Sequence, residues 1–279
     1  MIDLKEALSS VGVQPGEILM VHSRLFGPGL LPGIEPKDYA STYLKTFQEV
    51  LGETGTLVVP SYTTSFGRVG KPFHLETSPS EMGVFSECVR QQEGSQRTLH
   101  PIQSVTAIGS QAYGLTHDHP RWNVGADTIW DRLLQKRASV LSIGLPLHLC
   151  LSFVHQVEFL ACVPYVYHKV LRGEVHAQGK RVEGDFFLAA RYLNRGVAYG
   201  LARRFILDLS PWMTTVRFGL SVIQHVPLEA VYRVCMAGLR NDPYYLLKEP
   251  PTFTSGEIPL DGVTKEREEP VVSYFQKGE

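Results

Sequence analysis

The sequence predicts an α/β protein whose core is a central mixed, largely parallel sheet flanked by helices. Apolar runs bounded by turn residues, at Ile18–His22, Thr56–Pro60, Val105–Ile108 and Ser139–Ile143, have the pattern of strands buried on both faces. Helical periodicity between the first two of them, over Asp38–Leu51, gives the strand–helix–strand order of such a sheet.

At the start of the chain, Leu4, Ala7 and Leu8 share one face of a short helix over Asp3–Val11, which ends before the turn Gln14-Pro15-Gly16-Glu17. Glycine and proline dominate from Gly27 to Pro36, and Gly52-Glu53-Thr54-Gly55 stops the helix that follows. Ser78 as cap and Pro79 at the first helical position predict a helix running to Arg90. Leu151–Ala161 reads as a helix that carries His155 and Glu158. Tyr165–Val175 and Lys180–Phe187 alternate like the strands of a hairpin around Gln178-Gly179, and a last helix covers Leu228–Arg240. The tail from Glu249 is polar and rich in Pro, Glu and Lys, so a single domain over residues 1–248 is expected, followed by an extended or mobile tail over 249–279.

Hydrophobic residues at 43% and charged residues at 20% fit an ordinary globular chain, and 27 Lys plus Arg against 28 Asp plus Glu leave no basic field for nucleic acid. No apolar run reaches membrane-spanning length, and the N-terminus is charged too early for a secretory signal, which points to the cytoplasm. Cys88, Cys150, Cys162 and Cys235 lack a CxxC pair, so reduced thiols are expected, with Cys150 open as a nucleophile.

Three places could carry chemistry. His155 and Glu158 stand three apart on a helical pattern, so a carboxylate can raise the basicity of an imidazole, or the pair can be structural. His100 precedes a proline at a strand entrance, suited equally to a turn or to a ligand. Tyr62, Thr63, Thr64 and Ser65 follow a buried strand, where open α/β sheets commonly bind ligands. His117-Asp118-His119 and the pair His148 and His155 lack a partner motif, so no metal is expected.

The segments Leu19-Met20-Val21-His22-Ser23, Gly55-Thr56-Leu57-Val58-Val59-Pro60, Thr77-Ser78-Pro79-Ser80-Glu81-Met82-Gly83, His100–Gly109 and Val154-His155-Gln156-Val157-Glu158, in this order, resemble the aminoglycoside 3-N-acetyltransferase family. The resemblance covers about residues 1–205, the remainder being divergent. It implies an antibiotic N-acetyltransferase fold unrelated to the GNAT enzymes, and acyl-coenzyme A as co-substrate. It also implies Ser23, Ser78, Ser80, Met82, His100 and Ser104 as its contacts, and His155 as the base with Glu158 as its acidic partner.

The chain departs from the family where acids are expected to face a polycationic acceptor. Arg68 and Lys71 stand there instead, which would repel such a substrate. A branch of the same fold acylates nucleotide-linked amino sugars, and resemblance to it implies a dTDP-3-amino-3,6-dideoxyhexose as acceptor, in surface-polysaccharide synthesis. The group transferred to the 3-amino nitrogen would be acetyl or 3-hydroxybutanoyl. Tyr62, Thr63, Arg68 and Lys71 are then the substrate-binding candidates, with Arg24 and the aromatic rings of Phe66 and Trp122 as further ones. The alternatives are an aminoglycoside 3-N-acetyltransferase conferring resistance, a coenzyme A-binding protein without catalysis, or a metal hydrolase.

Overall fold

The computed structural model describes residues 3–29, 33–192 and 200–252. The chain begins with helix α1 (Leu4–Ser10), capped by the Asp3 carboxylate, which accepts from the Glu6 N–H at 2.7 Å. Strand β1 (Ile18–Ser23), helix α2 (Tyr39–Leu51) and strand β2 (Thr56–Pro60) follow. Next come α3 (Thr64–Val69), β3 (Phe73–His74), α4 (Val84–Arg90), β4 (Gln96–Arg97) and β5 (Val105–Gly109). Helices α5 (Ala112–Thr116) and α6 (Ile129–Gln135) lead to β6 (Ser139–Ile143) and α7 (Val154–Leu160). Strands β7 (Val166–Leu171), β8 (Val175–Ala177), β9 (Lys180–Arg181) and β10 (Phe186–Arg191) come next. The described chain closes with α8 (Arg203–Leu209), β11 (Thr214–Phe218), β12 (Ser221–Pro227) and α9 (Leu228–Asn241).

Seven strands form the main sheet in the order β11-β12-β6-β1-β2-β5-β4. The sheet is mixed and flanked by helices, as the sequence predicts. Its parallel pairings, however, are only β1 with β2 and β1 with β6, so parallel structure is confined to the centre rather than spread over most of the sheet. At both edges the reason is a short connection, whereas β2 with β5 and β6 with β12 are antiparallel across long ones. Strands β4 with β5 and β11 with β12 fold back antiparallel, and a chain that returns through a few residues cannot run parallel.

Side chains alternate along each central strand, so a continuous apolar run serves two cores. Met20, Val58 and Val140 pack with α6, α7 and α9 on one face, while Leu19, Val21, Leu57 and Leu141 pack with α1, α2 and α4 on the other. The part beyond residue 205, divergent in sequence, joins the first of these cores through Phe205, Leu209, Val231 and Leu246. A smaller core of Phe66, Phe73, Leu171, Val175, Phe186 and Leu188 holds the β7–β10 ribbon beside the sheet.

Two elements differ from expectation. The helix predicted from Ser78 begins only at Val84, because Gly83 sits at φ +99° and the Ser78 hydroxyl accepts from the His74 N–H at 2.8 Å. A left-handed glycine cannot lie inside a right-handed helix. Gln178-Gly179 does make a hairpin, but between the short β8 and β9, and the long antiparallel partner of β7 is β10. The tail expected to be extended or mobile lies, from residue 253 on, outside the described residues. Among the described residues no helix is long and apolar enough to cross a membrane.

Candidate active site

Beyond β6 the chain turns at Gly144, at φ +77°, where a Cβ would stand 2.1 Å from the Arg24 carbonyl oxygen and only glycine fits. Leu145–Ser152 then pass beside the end of β1 and lead into α7. Residues His22, Met82, Gln103, His148, His155 and Arg191 are among those lining a cavity of about 400 Å³ at this place.

The three-residue spacing on α7 puts His155 and Glu158 on one face, with His155 Nδ1 3.1 Å from Glu158 Oε2. The His155 side chain is 30% exposed and that of Glu158 is fully buried. Donation from Nδ1 to the carboxylate leaves Nε2 with the lone pair, the arrangement of a general base.

Glu158 does not serve His155 alone. Its Oε1 accepts from the Tyr165 hydroxyl at 2.8 Å and pairs with Arg191 Nη2 at 2.8 Å, and its Oε2 accepts from Arg191 Nε at 2.9 Å. Burial pushes the Glu158 carboxyl up, but Arg191 and His155 together overcome it and hold the group down at about 2. The carboxylate is therefore charged and neutralised by Arg191. Arg191 is thus a cation at this pair that the spacing of His155 and Glu158 did not reveal.

The cavity brings together only part of the residues expected from sequence. Met82 lines it, while the neighbouring Ser80 hydroxyl accepts from the Met82 N–H at 3.2 Å and the Ser80 N–H donates to Glu87 at 2.7 Å. Ser23, half-buried at the end of β1, follows directly on the cavity-lining His22.

His100 is a correction. It is completely buried and its Nε2 donates to the Phe187 carbonyl at 3.1 Å, while Nδ1 accepts from the Gln103 N–H at 2.9 Å, so its ring is spent on the backbone. Ser104, also buried, donates to the Ser61 carbonyl at 2.7 Å and accepts from Arg97 Nε at 2.9 Å. Thr63 likewise donates to the Pro101 carbonyl, and the Tyr62 ring belongs to the main core. Arg68, Lys71 and Arg24 are exposed and stand outside the cavity lining, and Trp122 is stacked on Phe187 at 4.5 Å.

Cys150 lines the cavity, but burial raises its thiol to about 12, which leaves it protonated and a poor nucleophile. Of the HxH pair, His119 is buried, with Nδ1 2.7 Å from the Pro120 carbonyl and Nε2 accepting from the Ile129 N–H at 3.0 Å.

Sequence reasoning gave no role to His22, Gln103 or Arg191. The signal for Arg191 was present as one charge closing the buried apolar strand Phe186–Ala190. His22 likewise closes the apolar run of β1. Among the described lining residues Arg191 is the one Lys or Arg, and no Asp or Glu is found there.

A family model described as aminoglycoside 3-N-acetyltransferase matches residues 20–195 of the chain. The aminoglycoside N(3)-acetyltransferase VII of Streptomyces paromomycinus is 29% identical over 58% of this chain and 60% of its own length. The type VIII enzyme of Streptomyces fradiae is 29% identical over 69% and 71%. The chain thus spans somewhat under two thirds of the first of these relatives. Among solved structures, the aminoglycoside acetyltransferase AAC(3)-Xa superposes with a TM-score of 0.73 at 20% identity, over 88% of this chain and 93% of that one. AAC-IIIb, in a binary structure with CoASH, superposes with a TM-score of 0.71 at 21% identity, over 89% and 97%. At these identities the superpositions establish the fold.

Proposed function

This chain belongs to the aminoglycoside 3-N-acetyltransferase family, and from that premise we propose that it transfers an acyl group from a coenzyme A thioester to the primary amine of an amino sugar. The observation that carries the reading is the His155–Glu158 pair at the wall of a cavity large enough for both reacting groups. An alkylammonium is not a nucleophile, so the acceptor reacts as the free amine, its ammonium proton having gone to solvent. As the amine nitrogen bonds to the thioester carbon and the carbonyl electrons move to oxygen, His155 Nε2 takes one of the two protons left on nitrogen, and collapse of the tetrahedral species breaks the C–S bond. The proton held by His155 passes to the departing thiolate, which returns the imidazole to its starting state. Glu158 orients the ring and faces the positive charge that forms on it.

The names of the relatives support an aminoglycoside as acceptor, with acetylation at a 3-amino group, and the comparisons favour this over any other acceptor. The cavity favours a second reading. An aminoglycoside is a polycation, and among the described residues no carboxylate lines the cavity, where the charge of Arg191 is balanced by Glu158. A dTDP-linked 3-amino-3,6-dideoxyhexose, acylated with acetyl or 3-hydroxybutanoyl for surface-polysaccharide synthesis, meets no such mismatch. The support from Arg68 and Lys71 is weaker than their sequence position suggests, since both stand outside the cavity lining.

Thiol release from acyl-CoA with a panel of aminoglycosides and dTDP-linked amino sugars separates the two. Turnover of aminoglycosides alone supports the first reading, turnover of nucleotide-linked sugars alone the second. Protein that binds acyl-CoA but releases no thiol with any amine would sink both.

A further inference from the structure

His22 follows Ile18 and Met20 on the sheet face that packs against α7, and it lies one residue before the end of β1, at the cavity. The residue is only 4% exposed. Its Nε2 is buried, and among the described residues neither ring nitrogen makes a hydrogen bond. Ser142, its partner in the parallel register on β6, is also buried with its hydroxyl unpartnered, so the two side chains do not satisfy each other. Native proteins rarely leave such groups unpaired. The ring lines the cavity, where a bound molecule can supply a partner.

The acyl-transfer reading has one unmet need at this place. When the amine adds to the thioester, negative charge grows on the carbonyl oxygen, and a fixed donor must face it. His155 is occupied by the proton of the amine, and Arg191 Nε and Nη2 are held on Glu158. We propose that His22 is a further catalytic residue, whose ring N–H donates a hydrogen bond to the thioester carbonyl oxygen and to the oxyanion formed from it.

Burial supports this role, since it lowers His22 to about 4 and keeps the ring neutral across the working range. A neutral imidazole donates through one nitrogen without adding a second cation beside the protonated His155. No proton is transferred at His22. Nitrogen bonds to carbon, sulfur leaves, and the oxyanion returns to a carbonyl while the donor stays as it was.

The proposal rests on the acyl-transfer reading, and a measurement that needs no acceptor tests the two apart. With acetyl-CoA labelled with carbon-13 at the carbonyl, the bound C=O stretch in the wild-type protein is expected to lie below that of the free thioester. In His22→Phe the shift should disappear, while the affinity for CoASH, which has no carbonyl, stays unchanged. With a productive amine, kcat in His22→Phe should fall about 10²- to 10³-fold. His22→Gln, which keeps a donor amide, should recover part of the loss and serves if His22→Phe does not fold. An unshifted carbonyl in wild type, a shift that survives in His22→Phe, or a kcat within threefold of wild type overturns the role of His22. Failure of the wild-type protein to bind acetyl-CoA at all overturns the acyl-transfer reading together with it.

Discussion

Replacing Arg191 with methionine is expected to destabilise the fold by roughly 3–5 kcal/mol, because it leaves Glu158 buried without its main counter-charge. Arg191 Nε stands 2.9 Å from one oxygen of this carboxylate and Nη2 2.8 Å from the other, and the Glu158 side chain is fully buried. Burial pushes the carboxyl up, and Arg191 is the first of the partners that bring it down to about 2. Without the guanidinium the carboxylate keeps its desolvation and loses most of its compensation. The assay is the denaturant midpoint and slope at neutral pH in wild type, Arg191→Met and Arg191→Lys, with kcat/KM for thiol release measured on each folded protein. Arg191→Lys keeps the charge but not the two-pronged geometry, and should recover part of the loss. An Arg191→Met protein within about 1 kcal/mol of wild type would refute the claim that Arg191 neutralises Glu158.

Glu158→Gln should flatten the acid dependence of stability. A carboxyl held at about 2 in the folded protein, against its ordinary 4.5, stabilises above 4.5 and loses that contribution as pH falls toward 2. The difference is worth roughly 3 kcal/mol, so denaturant midpoints of wild type should fall more steeply across that window than those of the variant, and parallel curves would contradict this. His100→Leu is expected to cost about 2–5 kcal/mol, by stranding the Phe187 carbonyl and the Gln103 N–H. Its affinity for CoASH should stay within about threefold of wild type, since the ring serves the backbone; a selective loss of CoASH binding at unchanged thermal midpoint would restore His100 as a contact. Cys150→Ala should keep at least half the wild-type kcat, because a thiol raised to about 12 is not a nucleophile; a thousandfold loss would point to a thioester on the enzyme.

Periodicity located the four central strands and helices α2, α7 and α9 to within a few residues, because each buries one or both faces and therefore shows its pattern locally. What it could not show was strand order. The antiparallel edges depend on which short connections fold back, and no single segment carries that information. Ser78-Pro79 has the chemistry of a helix start, yet the left-handed Gly83 postpones the helix to Val84. For the site, the spacing of His155 and Glu158 was legible and their contact follows from helix geometry. Tyr165 reaches Glu158 from just before β7, but Arg191 comes from the end of β10, across a long separation in sequence, so the neutralisation of the carboxylate could only emerge with the tertiary structure. His100, Ser104 and Thr63 illustrate the reverse. Polar residues at a strand entrance look like ligand contacts until the backbone groups they satisfy are seen.

The role of His155 is tested most directly by thiol release from acetyl-CoA, measured with a productive amino-sugar amine in wild type and in His155→Asn across neutral and alkaline pH. The account predicts amine-dependent release by wild type and a loss of about 10²- to 10⁴-fold in the variant. Raising the pH should partly restore the variant, as free amine becomes abundant without a base. Equal turnover in the two proteins at neutral pH would show that the amine loses its proton elsewhere, and that the His155–Glu158 pair is part of the scaffold.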